Sequence, residues 1–437
     1  VSGVLRGSQV LALNMRRWVA PLSRAKHHVL EAVLAVVPQV YARWFDRSRS
    51  PATAIEQRAP AVQRGRRAVL LVDHDFPEVD RDAGSRAILS FAKLVGEAGF
   101  ELLFWAASTT PSAAGRATLH QAGIHAFCRS ETGPLEEWLR GPGRAWNLGG
   151  TVLSRPLIAA MYLPVIRRSL SGPCIYYGHD IHFRRLQAMR RIDANSSRGF
   201  CWQQWVMGRV ERRLWQCADA VLYPSQEEAD EVNTFRRAHA LTDNAEMFPL
   251  WTLDGEVCVA APSDRKGLLF VGSYAHAPNV DGLDWFLREV QPKLQLHAGQ
   301  RTLTIVGSGM EAYVPPSTTM QVRVLGRVDD ATLDACYGHA RVVIAPLRFG
   351  GGVKGKVLEA IGKGVPCVMS TAGVQGLAGL EAFLPVSDDP QVIVSAIQRL
   401  VEDDAAWVAA ASGASAYLRQ RYDAGRFRER LRQMLDA

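Results

Sequence analysis

No apolar run in this 437-residue chain reaches the roughly 18 consecutive residues that a membrane-crossing helix needs. The start also lacks the charged-then-apolar layout of a secretory signal. Cysteine is sparse: the seven thiols, at 128, 174, 201, 217, 258, 336 and 367, are odd in number and never spaced C-x-x-C. That pattern argues against a disulfide framework or a zinc cluster, and the thiols are expected to be reduced and packed. No G-x-G-x-x-G follows the first strand of either half, which disfavours a dinucleotide-binding dehydrogenase. Acidic residues are scarce at one end, where residues 1–67 hold twelve Lys/Arg against three Asp/Glu, a net of +9 that leaves −1 for the remainder. The body of the protein therefore carries no basic stripe of the kind nucleic-acid binding requires, and no nucleic acid is expected as a partner. The expectation is a cytoplasmic protein, soluble or peripheral at the inner face of the cytoplasmic membrane. A chain opening on Val1 is also expected to be a piece of a longer one.

What is present is an ordinary globular composition, 48% hydrophobic and 22% charged, at a length that suits two domains. Residues 1–67 read as a basic amphipathic extension and linker. Leu30, Val33, Val37, Tyr41 and Trp44 recur at a helical period that Pro38 interrupts, with Arg24, Arg43 and Arg47 elsewhere. Two uses stay open: a foot on an anionic membrane surface, or a connecting helix packed on the body. From Ala68 the pattern changes to short apolar runs alternating with longer helical periods, the signature of a parallel sheet with crossover helices. Strands are predicted at 68–73, 101–105, 151–154, 173–177 and 220–223, with helices at 84–98 and 203–217. After a polar, poorly periodic stretch the alternation resumes, with strands at 267–271, 301–306, 322–325, 342–345 and 366–369. The fold class is thus α/β, two Rossmann-like domains, each a mostly parallel sheet. The first spans 68–240; the second spans 262–437 and includes the terminal helices. Ligands are expected at the carboxyl ends of such sheets.

The most informative segment is APLRFGGGVKGKVLEAIGKGVPCVMST, residues 345–371. A strand ends at Ala345, Gly350, Gly351 and Gly352 follow, and a helix is predicted from about Val353 to Lys363. Glycines let a backbone approach a diphosphate, while the N–H groups and dipole of a helix start favour negative charge. Arg348, Lys354 and Lys356 add positive charge at the same end. Glu359, one turn beyond Lys356, is placed to accept hydrogen bonds from two ribose hydroxyls. The competing reading is a plain glycine loop with Glu359 paired to Lys356 or Lys363; the combination of features favours a nucleotide site.

At this point the chain resembles the retaining family-4 glycosyltransferases of the GT-B fold. LLFVGSYAHAPNVDGLDWFL, LTIVGSG, VLGRVDD, the glycine segment and VQGL occur in the family's order, most strongly from Gly267 to Leu377. The family often carries two glutamates with seven residues between them. Glu359 matches the second, at the ribose, whereas the first position is Gly351, as in a subgroup with a glycine-rich donor loop. The resemblance further implies that Gly272 and Ser273 bring backbone against the donor phosphates, that Gly307 and Gly309 lie near the base, and that Gly84 forms part of the cleft floor.

In CIYYGHDIHFRRL, residues 174–186, His179 and Asp180 fall where the family has groups touching the donor sugar. Asp73, Asp75, Asp80 and Asp82 form two D-x-D patterns that could hold a metal. They lie, however, in the half without the donor loop, and the family needs no metal. The implied activity moves a sugar from a nucleoside diphosphate sugar to a glycan or lipid-linked acceptor with retention, in bacterial surface polysaccharide synthesis. Its catalytic residues are expected to be His179, Asp180, Arg348 and Lys356, helped by the N–H groups of Gly352, Val353 and Lys354; no cofactor is expected. The alternatives are a nucleotide-sugar 2-epimerase of the same fold and a degenerate, non-catalytic interaction domain.

Overall fold

A computed structural model of the chain describes residues 66–78, 83–192, 197–253, 255, 257–259 and 261–436. The basic segment 1–65, Asp80 and Asp82 lie outside the described residues. The described chain divides into two compact units, one running through Thr252 and taking in the segment from Ala424, the other spanning Leu253–Asp423.

The first unit is built on a wholly parallel seven-stranded sheet of order β3-β2-β1-β4-β5-β6-β7. Its strands are β1 (Ala68–Asp73), β2 (Glu101–Ala106), β3 (His125–Cys128), β4 (Leu148–Ser154), β5 (Cys174–Tyr177), β6 (Ala220–Tyr223) and β7 (Ala245–Met247). The central strand β1, AVLLVD, is buried along its full length, as expected of a strand covered on both faces. Its crossover helices include α1 (Ala83–Glu97), α2 (Ala113–Gln121), α3 (Pro156–Ser169), α4 (His182–Ile192), α5 (Ser197–Cys217) and α6 (Gln226–Ala238). The second unit carries a five-stranded parallel sheet of order β10-β9-β8-β11-β12. Its strands are β8 (Leu268–Val271), β9 (Thr302–Val306), β10 (Gln321–Gly326), β11 (Val342–Ala345) and β12 (Cys367–Met369). The helices used below are α7 (Ala277–Trp285), α8 (Asp330–His339), α9 (Gly355–Gly362), α10 (Pro390–Glu402) and α11 (Asp404–Tyr422).

Two Rossmann-like α/β units are therefore the architecture, and every strand expected from sequence is present. Three boundaries differ. The first sheet does not stop at 240, because β7 pairs with β6 beyond it. The second unit begins at Leu253 rather than at 262. The last helix, α12 (Ala424–Asp436), belongs to the first unit, although the sequence reading assigned it to the second domain. Phe427, Leu431, Met434 and Leu435 on α12 are buried in one core cluster with Val69, Phe91 and Phe248. Arg428 pairs with Glu97 at 3.0 Å, and Arg67 reaches Asp436 at 2.8 Å. The apolar face of an amphipathic helix specifies that it must be covered, not by which sheet.

Candidate functional site

In each sheet the strand order reverses at one point, between β1 and β4 in the first and between β8 and β11 in the second. Open α/β sheets bind ligands outside the carboxyl ends of the strands at such points, because neighbouring crossover connections diverge there and leave a crevice.

In the second unit, β8 ends at Val271 and β11 at Ala345, so the segments that follow them, Gly272–Ser273 and the glycine loop, flank the reversal. A Cβ on Gly272 would sit 2.7 Å from Asn279 Nδ2 and 2.8 Å from Lys356 Nζ, so no other residue fits there without displacing one of these side chains. Gly307 (φ 148°) packs against the same backbone, where a Cβ would meet the Gly272 carbonyl oxygen at 2.1 Å. Gly350 and Gly352 also adopt positive φ, 143° and 64°, keeping the chain in a turn two residues longer than the sequence suggested. The helix accordingly starts at Gly355, with Lys354 as its N-cap, and not at Val353. A lysine side chain has no acceptor and cannot cap. Lys354 Nζ instead turns back onto the carbonyls of Gly352 (2.6 Å) and Gly351 (3.2 Å), holding the glycine loop in place. The first-turn N–H groups therefore receive no side-chain cap and remain suited to an anion.

Lys356 is the informative side chain. Its side chain is part-buried, with the ammonium lying between Asn279 Oδ1 at 2.6 Å and the Phe270 ring at 4.2 Å. Burial, reinforced by Lys354, pushes its pKa down to about 7, since its hydrogen-bond partner is a neutral amide and not a carboxylate. Asn279, itself buried, also donates to the Ser273 carbonyl at 2.8 Å and so ties the Gly272–Ser273 turn to Lys356. Glu359 accepts a hydrogen bond from the buried Tyr337 at 3.0 Å. Lys363 is engaged elsewhere, with Asp334 at 2.6 Å. Arg348 is held by Asp281, its Nε 2.8 Å from Oδ2 in a bidentate pair, so its charge is compensated where it lies.

At the reversal of the first sheet, Asp73 ends β1, Ser154 ends β4, and Arg155 follows it as the residue before α3. Arg155 adopts φ 64°, unusual for a side-chain-bearing residue and costing on the order of 1–3 kcal/mol. Its Nε donates to the buried Asp73 Oδ1 at 3.0 Å. Burial raises the Asp73 pKa, but the adjoining Arg155 guanidinium and His74 outweigh it and hold the carboxyl well below the usual range. Ser154 Oγ lies 3.2 Å from Asp73 Oδ2 and 3.0 Å from His179 Nε2. Burial, assisted by Arg155, keeps the His179 imidazole neutral, its pKa down to about 3. Asp180 is arranged differently from its neighbour: its carboxylate is buried, 2.9 Å from His182 Nδ1 and 2.9 Å from Arg185 Nη1. Behind it Glu211 takes the N–H groups of His182 (2.9 Å) and Phe183 (3.0 Å) at the start of α4. Asp180 thus anchors the loop that carries His179. Asp75 is used in turn geometry, accepting from Phe76 N at 2.8 Å and Ser112 N at 3.1 Å. Gly84 lies in the first turn of α1.

Gly84, Gly272, Ser273, Arg348, the glycine loop with Lys354, Lys356, Glu359, His179 and Asp180 were candidates from sequence, whereas Asn279, Tyr337, Ser154 and Arg155 were not. Only Ser154-Arg155-Pro156, polar residues where a predicted strand runs out ahead of a proline, carried any signal in advance.

Residues 265–403, within the second unit, match the family described as Glycosyl transferases group 1. A comparison with curated proteins found no significant match. Among solved structures the chain is similar to a sucrose-phosphate synthase from Thermosynechococcus elongatus, with a TM-score of 0.60 and 14% identity over 84% of this chain and 98% of that one. It is similar to Anabaena HepE in complex with UDP and glucose, with a TM-score of 0.60 and 15% identity over 85% and 99%. It also resembles a UDP-forming α,α-trehalose-phosphate synthase from Burkholderia xenovorans, with a TM-score of 0.55 and 12% identity over 85% and 99%. At these identities the likeness establishes a shared two-domain α/β fold.

Proposed function

We propose that the chain transfers a glycosyl group from a nucleoside diphosphate sugar, bound by the second unit, to a hydroxyl of a glycan or lipid-linked acceptor, with retention at the anomeric carbon. The observation that carries this reading is the part-buried Lys356 ammonium beside Gly272 and the uncapped start of α9, held by a neutral amide and the Phe270 ring and by no carboxylate among the described residues. A partly desolvated cation without a carboxylate partner is costly, and a diphosphate seated on the helix start would compensate it. The group 1 match over the same unit, and the UDP in the similar HepE structure, agree in ligand class.

In the reaction the bond from the anomeric carbon to the diphosphate oxygen breaks and one to the acceptor oxygen forms. The acceptor proton passes to the departing phosphate. Charge grows on the diphosphate as it leaves, so a cation and N–H groups already aimed at that position lower the barrier. This arrangement supplies the charge without a metal. Tyr337 orients Glu359 toward the ribose hydroxyls. Arg348 is a lesser contributor on this reading, since Asp281 already occupies it.

A thermal-shift panel of UDP, GDP, dTDP, ADP and CMP, with and without EDTA, tests the reading, because a ligand bound only by the folded state raises its melting temperature. One nucleoside diphosphate is expected to stabilise the protein equally in EDTA. Glu359→Ala should weaken that ligand by roughly ten- to a hundredfold, the worth of charged hydrogen bonds of about 1.5–3 kcal/mol. No shift with any nucleotide, or unchanged affinity in the variant, would remove the site. Turnover of the sugar nucleotide without any acceptor would instead favour epimerisation.

The net charge of +9 in residues 1–67 supports attachment to an anionic membrane surface, and hence a role in surface polysaccharide assembly. Deleting 1–65 should reduce sedimentation with anionic vesicles and leave nucleotide binding intact. Equal sedimentation of both proteins would discard the membrane role. No helix among the described residues is long and apolar enough to cross a membrane.

A further inference from the structure

We propose that Asp73, acting through Ser154, fixes the His179 imidazole as the Nε2–H tautomer, so that the ring offers Nδ1 as an acceptor to a ligand hydroxyl. A serine hydroxyl has one proton to give, and here two groups compete for it. Asp73 is an ionised carboxylate that can only accept; Arg155 Nε, His74 N (2.6 Å) and His74 Nδ1 (3.1 Å) all converge on its Oδ1. Its Oδ2 faces Ser154 Oγ at 3.2 Å. If the hydroxyl turned its proton toward His179, a serine lone pair would confront that carboxylate in a buried site, which is repulsive. The proton therefore goes to Asp73, and Ser154 Oγ can only accept from His179 Nε2, 3.0 Å away.

A neutral imidazole carries one N–H, and once it is committed at Nε2 the other nitrogen is a bare lone pair. Nδ1 is buried and has no hydrogen-bond partner among the described residues. An unmatched acceptor of this kind at the carboxyl end of the sheet can be completed by a ligand donor, and a sugar or acceptor hydroxyl is of the right chemistry. The three groups come from the ends of β1, β4 and β5, the strands at and beside the point where the order of the sheet reverses. Asp73 and Ser154 are positioning residues: they act through His179.

Selective 15N-histidine labelling of the ligand-free protein reads the tautomer directly, with the His179 signals assigned by their loss in His179→Gln. The expected result is an Nε2–H imidazole in the wild type. In Ser154→Ala the ring should populate both tautomers, because the group that selects one is gone. Asp73→Asn should reverse it to Nδ1–H, since an amide can donate to Ser154 and turn its hydroxyl toward Nε2. Ser154→Ala keeps the Asp73–Arg155 pair, so it remains informative if Asp73→Asn folds poorly. An Nδ1–H ring or an imidazolium in the wild type overturns the proposal, as does a wild-type tautomer that persists in Ser154→Ala. The consequence for turnover rests on the glycosyl-transfer reading: Ser154→Ala should lower kcat by roughly tenfold with nucleoside diphosphate affinity unchanged. If the tautomer responds as expected but no sugar nucleotide is turned over even by the wild type, the assignment of the ring stands and the transferase reading falls.

Discussion

Lys356→Met should lower kcat by at least about a hundredfold, the effect of removing one group that stabilises charge developing in the transition state. The same change should raise the melting temperature of the ligand-free protein at pH 6. The two effects share one cause. Folding moves the Lys356 pKa from 10.5 to about 7, so between those values the unfolded chain binds the extra proton. Stability of the wild type therefore rises with pH through that window and is lowest below about pH 7, where the folded protein must bury a charge. Methionine has no charge to bury, so its advantage should be larger at pH 6 than at pH 10. A bound diphosphate restores the ammonium, which makes binding above pH 7 take up a proton. Wild-type affinity should fall by up to about tenfold per pH unit there, and the variant should lose that slope. Titration calorimetry across pH 6–9 with the nucleotide from the thermal panel measures it; an identical slope in both proteins would show that Lys356 does not meet the phosphates. Arg348→Ala, which breaks a half-exposed pair with Asp281, serves as the contrast and should leave kcat within about threefold.

Asp180→Ala is expected to destabilise the first unit by about 3–5 kcal/mol, since it strips one partner from a buried ion pair. For a unit of this size that corresponds to a drop of roughly ten degrees in its melting transition. The pH dependence has a defined sign. Burial raises the Asp180 pKa, but His182 and Arg185 outweigh it and hold the carboxyl below its ordinary range; its contribution is present above that range and lost only in strong acid. Burial lowers the pKa of His182, yet Asp180 more than compensates and lifts it above 6.5. That contribution is complete below pH 6.5 and fades as pH rises through the folded value. The deficit of the variant should therefore be greater at pH 5.5 than at pH 9, which scanning calorimetry at the two pH values would show. Nucleoside diphosphate affinity should not change, because the groups assigned to it lie in the other unit. An unaltered melting temperature would mean that Asp180 does not anchor the loop; lost nucleotide binding in a folded variant would reassign it to the donor site.

The parts of the site that could be read in the sequence are those contiguous in it. Gly350, Gly352, Lys356 and Glu359 fall within ten residues, and a strand end, glycines and a helix start have local signatures. Asn279 is 77 residues from the lysine it holds, and Asp73 is 81 residues from Ser154; no spacing rule links them. Strands β3 (HAFC) and β7 (AEM) escaped for a different reason: at four and three residues, with mixed burial, they offer no period to detect.

The α/β class, the central strands of both sheets and the glycine loop are written locally in the chain, because alternation of apolar runs, helical periods and glycine torsions are properties of neighbouring residues. The remainder depends on packing between distant segments. Such packing carried α12 onto the first sheet, since an apolar face is satisfied by any complementary core. It turned Asp180 inward to an ion pair while its neighbour His179 joined the Asp73 network, because adjacent side chains in a loop diverge according to what surrounds them. It also left the Lys356 ammonium without an anion, a property of the enclosing walls that no single segment encodes.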